Sequence, residues 1–351
     1  MVEYPDEAPR TGSGAQTARG RGRALRGVGP IRLRRPTAAA GLAALALLVG
    51  ACAGDAGSAG DAPPEAALAA SANDGPVTQP NTDVDWNIVR EKVAWAFGER
   101  LDTVPIGEAV ARIGRTFVGT RYSPHTLEVP GPEGLVVELE ELDCVTFVEN
   151  VLALARFVKQ APPTVLNDDR VFRAFYSGIL TNLRYRNGEI AGYPSRLHYF
   201  SEWIRHHADR GIVRDLGPEL GGVPVTEPID FMTTHVEAYR QLGENPSFVE
   251  AMRAIEADIS RHPRYEVPQE EIARIEDRIR DGDIIAAAST VEGLDVAHTG
   301  IALRIGERVH LLHAPLVGDS VQISEVPLAD RILRIRGQDG ILVARPLEPG
   351  S

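Results

Sequence analysis

Cysteine is almost missing from this chain: its 351 residues include only Cys52 and Cys144. Two thiols cannot staple a disulfide framework or complete a four-cysteine zinc module. Methionine and tryptophan are as sparse, at three each. Basic residues are also in deficit, 37 Lys and Arg against 49 Asp and Glu, for a formal net charge of −12. An acidic surface repels phosphate backbones, which argues against nucleic acid as a partner. There is no HExxH and no paired-cysteine motif, so neither a metal nor another cofactor is expected. The hydrophobic share, 43%, suffices for a real core.

The charge is unevenly spread. Residues 1–51 hold eight Arg against three acids, Glu3, Asp6 and Glu7, and no charge falls between Arg35 and Asp55. Arg32, Arg34 and Arg35 followed by the apolar stretch Ala38 to Val49 and the small residues Gly50-Ala51 read as a signal peptide, the stretch being short for a permanent membrane helix. Leu48-Val49-Gly50-Ala51-Cys52 resembles the bacterial lipobox, so Cys52 is the expected lipidation site and a lipid anchor at the cell envelope the expected location. Residues 52–82, rich in Ala, Gly, Asp, Ser and Pro, suit a flexible tether. A single domain is expected over 83–351.

Within it, apolar residues at helical spacing predict helices over Asp83 to Leu101, Ile106 to Phe117, Leu142 to Val158, Arg170 to Leu183, Arg196 to His207, Phe248 to Ile259 and Gln269 to Ile279. Leu135 to Val137 reads as a short strand. After Asp281-Gly282-Asp283 the pattern changes to short runs between turns: Ile284 to Ala288, His298 to Ile305, Arg308 to Ala314, Val321 to Val326 and Ile341 to Arg345. Helices first and mostly antiparallel strands later indicate α+β.

Cys144 follows Asp143, a good N-cap, and so opens the apolar helix, with Leu142 and Phe147 placed to staple the cap. A sulfur there meets unsatisfied amides and the positive end of the helix dipole, which favours a thiolate nucleophile, although the adjacent carboxylate works against it. A thiol nucleophile needs a base. If Gly306-Glu307 is a two-residue hairpin loop, paired positions sum to 613. His298 and His313 then share one face as diagonal neighbours, about 7–8 Å apart at the backbone. One imidazole can serve as base while the other orients it. A three-residue loop would put them on opposite faces. His206 and His207, near a helix C-terminus, read as cations stabilising that end; His125, His235, His262 and His310 read as loop or surface residues.

Five segments together resemble the N-acetylmuramoyl-L-alanine amidase-like family of the NlpC superfamily, papain-like cysteine hydrolases of the bacterial cell wall. They are Leu142 to Asn150, Tyr193 to Ile204, Gly282 to Ile285, Gly293 to Ala302 and Leu311 to Ala314, in that order. The resemblance spans about residues 105–346. It implies a papain-like fold with the nucleophile at a helix N-terminus on an antiparallel sheet, and hydrolysis of a peptidoglycan amide by Cys144, His298 and His313. The bond implied is the one between muramic acid and L-Ala. A stem-peptide endopeptidase with the same triad, or a wall-binding lipoprotein that does not cut, are the alternatives. Gly119-Thr120-Arg121-Tyr122 resembles the Gly-x-x-Tyr segment that borders the family's pocket. Tyr122, Glu128, Asp143, Thr146, Glu149, Arg196, His198, Tyr199 and Asp295 are the substrate contacts so implied, and peptidoglycan fragments the partner. Pro315 after His313-Ala314, and Pro124-His125 after Tyr122, depart from the family pattern.

Overall fold

A computed structural model describes residues 80–350. The leader, Cys52 and nearly all of the expected tether lie outside the described residues. The chain runs from helices α1 (Asp83–Gly98) and α2 (Ile106–Arg115) through the short parallel pair β1 (Arg121–Tyr122) and β2 (Glu141–Leu142). Helices α3 (Cys144–Gln160), α4 (Asp169–Arg184) and α5 (Phe200–Asp209) follow. Then come strands β3 (Val213–Asp215) and β4 (Val223–Val225), helices α6 (Phe231–Thr234), α7 (Arg240–Glu244) and α8 (Pro246–Ile259), and strand β5 (Arg264–Pro268). The C-terminal part holds α9 (Ile272–Ile275), β6 (Ile284–Ser289), β7 (Val296–Ile305), β8 (Arg308–His313), β9 (Gln322–Ile323), α10 (Leu328–Arg334) and β10 (Gln338–Pro346). Helices and an antiparallel sheet are thus segregated along the chain, an α+β arrangement.

The main sheet has the order β4-β5-β10-β6-β7-β8-β9, with β3 also on β10, and every pairing in it is antiparallel. Alternation sends its side chains to two cores. Ala286, Ala288, Ile301, Leu303 and Leu312 join Val151, Ala155 and their neighbours on the α3 side. Ile285, Ala287, Ala302, Val309 and Leu311 face Ile272 and Ile275 of α9 and Leu328 and Ile332 of α10. A smaller third cluster joins Tyr193 and Tyr199 to Phe231, Met232, Leu242 and Met252 of the segment carrying α6 to α8.

Three expectations are corrected. Leu135 to Val137 is not a strand: its backbone is held by Asn81 and by α1, through Val137 N to Asn81 Oδ1 (2.8 Å) and Leu139 N to Asp85 Oδ1 (2.9 Å). The helix expected from Arg196 begins only at Phe200, because its cap comes from afar: Asp295, 94 residues on, accepts the Ser201 amide at 2.7 Å. The helix expected over Gln269 to Ile279 is broken into α9 and a 3₁₀ turn, Glu276–Arg278. Val321 to Val326 shortens to β9, while β3, β4, β5, α6, α7 and α10 were too short to leave a periodic signal.

Candidate active site

The start of α3 is fixed by reciprocal capping. Asp143 Oδ1 accepts from Val145 N (3.0 Å) and Thr146 N (2.7 Å), while Thr146 Oγ1 accepts from Asp143 N (2.9 Å). Leu142 and Phe147 are both fully buried beside the cap, as the staple requires. Cys144 is the first helical residue and only partly buried. Strand β7 runs up against it: the Thr299 hydroxyl donates to Cys144 O at 2.8 Å.

The hairpin has the two-residue loop, with Ile301 opposite Leu312 and Ile305 opposite Arg308, so its paired positions sum to 613. His298 and His313 share a face, and His298 Nε2 lies 2.7 Å from His313 Nδ1, their rings edge-on at 82°. His298 sits beside a register shift between Ala287 and Ala288, at the mouth of β7. It lines, with Cys144, one cavity of about 150 Å³. Glu128, His198, Tyr199 and Asp295 line the same cavity; sequence reasoning missed Tyr193, Met232, Tyr239 and Thr299, which also face it. Two of these had a signal: Tyr193 opens one of the five segments that carry the resemblance, and Thr299 lies next to His298 on the opposite parity of the strand.

The electrostatics correct the expected thiolate. Burial first, then the Asp143 carboxylate, push the Cys144 thiol up to about 11, outweighing the hydrogen bonds from Thr299 and from its own amide. Burial likewise brings His298 down to about 3. Burial thus favours the uncharged form of both the sulfur and the imidazole. His207 is corrected too: it is fully buried, bonded through Nε2 to Leu183 O at 2.8 Å, and burial pushes it down to about 3, so it is no helix-end cation.

Other expected contacts are occupied inside the protein. Glu149 is 1% exposed and pairs at 2.7 Å with Arg184, equally buried, on the core side of α3. Thr146 belongs to the cap, and Asp143 spends its second oxygen on the Thr126 hydroxyl at 3.0 Å. Arg196 is clasped by Glu128 (2.9 Å) and Glu133 (2.8 Å), which hold its charge against desolvation. These four do not line the cavity; their sequence-level reading as substrate contacts gives way to a framework role. Arg196 does place Glu128, whose Oε2 is buried at the cavity without a hydrogen-bond partner among the described residues, as is the Tyr193 hydroxyl. Tyr122 lies outside the lining, but β1 pairs it with Leu142, and its hydroxyl is raised by burial and then by Cys144 and Asp143. His198 donates through Nε2 to Tyr193 O (2.8 Å) and is kept uncharged by burial and by Arg196. Tyr199 donates to Glu256 Oε1 (2.7 Å), and Asp295 accepts from Ser201 and Val296.

The model of the AmiA-like family, described as N-acetylmuramoyl-L-alanine amidase-like, matches residues 112–339. The chain belongs to this family. Among solved structures, an N-acetylmuramoyl-L-alanine amidase from Bacteroides uniformis is 33% identical, with 69% of this chain and 99% of that chain covered and a TM-score of 0.63. A second structure of an amidase so named from Bacteroides uniformis gives 34%, 68%, 98% and 0.63. A Legionella pneumophila protein shares the fold at 18% identity, with 76% of this chain and 97% of that one covered and a TM-score of 0.55. No curated protein matches. Among the described residues of this family member, no group of three or more His, Cys, Asp or Glu is placed to hold a metal ion.

Proposed function

We propose that this protein is a cell-wall cysteine amidase that cuts the bond between muramic acid and L-Ala in peptidoglycan fragments, with Cys144 as nucleophile, His298 as base and His313 as the residue that orients it. The observation that carries the reading is the 2.7 Å contact between the two imidazoles, one of which shares a cavity with a thiol at the first position of a helix. Kinship with proteins named N-acetylmuramoyl-L-alanine amidase supports the substrate. A papain-like, NlpC-type mechanism is the chemistry that fits.

For His298 to act as a base toward Cys144, its Nε2 carries the proton and donates to His313 Nδ1, which leaves Nδ1 as the lone pair. The resting pair is uncharged, so the thiol proton passes to Nδ1 as sulfur attacks the lactyl carbonyl carbon. Amides at the start of α3, that of Cys144 included, face the developing oxyanion. Collapse breaks the C–N bond, and the imidazolium proton goes to the departing amine of L-Ala. Water then attacks the thioester with His298 again as base, releasing the muramic acid carboxylate and restoring the thiol. Glu128 Oε2 and the Tyr193 hydroxyl, buried and unpartnered among the described residues, supply an acceptor and a donor for substrate polar groups. The reading extends to the N-terminal segment: a lipid on Cys52 tethers the enzyme to the membrane facing the wall.

The test is mass spectrometry of defined muropeptides incubated with the protein. Free sugar and intact stem peptide are expected, and no product from Cys144→Ala. Sugar still carrying L-Ala with a shortened peptide would replace the amidase by an endopeptidase; binding without products would replace both by a wall-binding role. Hydrolysis by Cys144→Ala would refute the mechanism.

A further inference from the structure

Behind the imidazole pair stands a cation that neither the family resemblance nor the proposed mechanism uses. Alternation along β8 puts Val309 and Leu311 on the α10 side of the sheet, and His313 has the same parity. His298 likewise shares parity with Ala302 on that side. Helix α10 packs over β8 and carries Arg331, whose Nε is buried with no hydrogen-bond partner among the described residues. His313 Nε2, on a side chain 1% exposed, is also buried and unpartnered among them. Arg331 and His313 thus share the layer between the sheet and α10, where the guanidinium's charge weighs against protonation of both imidazoles.

Neighbouring carboxylates do not neutralise it. Asp330, next to Arg331 on α10, turns toward Arg308 at 3.8 Å, and Glu276 beneath them pairs with Arg308 at 2.8 Å. Asp295, at the mouth of β7, accepts from two backbone amides. From β6 and β9 no charged group arises. On β10 the charged residues are Asp339, which is exposed, and Arg345, which pairs with Asp283 at 2.7 Å. The third imidazole of the hairpin, His310, has the opposite parity and bonds Ser324 O at 2.8 Å. Cys144, at the start of α3, lines the same cavity as His298.

We propose that Arg331 is a positioning residue of the imidazole relay: a fixed cation on the α10 side of the sheet that adds to burial in opposing a positive charge on the relay, so that its imidazolium gives up its proton readily. An uncharged His298 is ready to take the thiol proton at any physiological pH. Once it has taken it, repulsion from Arg331 drives that proton on to the leaving amine, the harder proton transfer of amide cleavage. Burial lowers both imidazoles in the same direction, and Arg331 adds to that effect. The catalytic consequence rests on the proposed amidase reading, whereas the protonation state does not.

The experiment therefore reads protonation without substrate: ring NMR titration of His298 and His313 in the full chain, assigned with His298→Gln and His313→Gln, in wild type, Arg331→Met and Arg331→Lys. In wild type the rings are expected to stay uncharged from pH 7 down to about 4. In Arg331→Met the first protonation midpoint moves up by at least one pH unit, while Arg331→Lys, which keeps the charge, titrates as wild type. A natively folded Arg331→Met whose titration superimposes on wild type overturns the proposal. Should Arg331→Met not fold, the equally uncharged Arg331→Gln decides: a midpoint raised by a unit or more upholds the proposal, and a titration that superimposes on wild type overturns it. Loss of amidase activity in the muropeptide assay would leave this titration result intact, and the reverse holds as well.

Discussion

Removing the Glu149 carboxylate separates two roles that the sequence could not. The Arg184 guanidinium donates to Glu149 Oε2 at 2.7 Å and to Val136 O at 2.6 Å, with both side chains 1% exposed. Glu149→Ala leaves that cation buried with one carbonyl for a partner. Breaking one side of a buried pair costs about 3–5 kcal/mol. For a domain of this size each kcal/mol moves the melting temperature by about 2–4 °C, so a drop of about 6–20 °C is expected in a calorimetric or circular-dichroism melt. Burial raises the Glu149 carboxyl against the pull of Arg184, a sign that desolvation weighs heavily on the pair. The double variant Glu149→Met with Arg184→Met should accordingly recover most of the loss, since apolar replacement of a buried pair is often neutral. If Glu149 instead touched substrate, Glu149→Ala would melt like wild type and raise KM. That outcome would refute the framework assignment and, with it, the reasoning from burial.

The raised thiol makes a second measurement decisive: iodoacetamide should label Cys144 slowly at pH 7 and faster by about tenfold per pH unit toward a plateau near 11, whereas a plateau below pH 8 would contradict the uncharged resting pair. Asp143→Ala removes both the cap and the carboxylate that holds the thiol up, so stability should fall by about 1 kcal/mol while labelling at neutral pH accelerates; slower labelling would show that the carboxylate does not raise the thiol. His207 titrates at about 3 when folded against the ordinary 6.5, so the unfolded chain binds its proton first. Its contribution to stability is complete above pH 6.5 and is lost as the pH falls from there toward 3. Thermal melts of His207→Gln should therefore decline less steeply than wild type across that window; parallel curves would mean that another group causes the acid loss.

Local signals determined much here. The cap at Asp143, the two-residue turn at Gly306-Glu307 and the alternation of β7 and β8 are set by residues within a few positions of one another, so the start of α3 and the meeting of His298 with His313 were legible in the sequence. Leu135 to Val137 misled because three apolar residues look alike in a strand and in a segment whose amides are met by Asn81 and Asp85. Arg196 to Tyr199 misled for a similar reason: the cap that stops their helix is Asp295, brought in by the fold. Periodicity does not say where a carboxylate will find its partner, so Glu149 and Arg196 resembled binding residues until Arg184, Glu128 and Glu133 were seen around them.

Chemistry written into neighbouring residues was thus fixed by the sequence alone: which sulfur opens a helix, and which imidazoles share a face. Charge was not. Whether the thiol is ionised, whether His207 is a cation and what stands behind His313 depend on how much water the packed layers exclude and on which distant charges they bring near, and only the tertiary structure decides that.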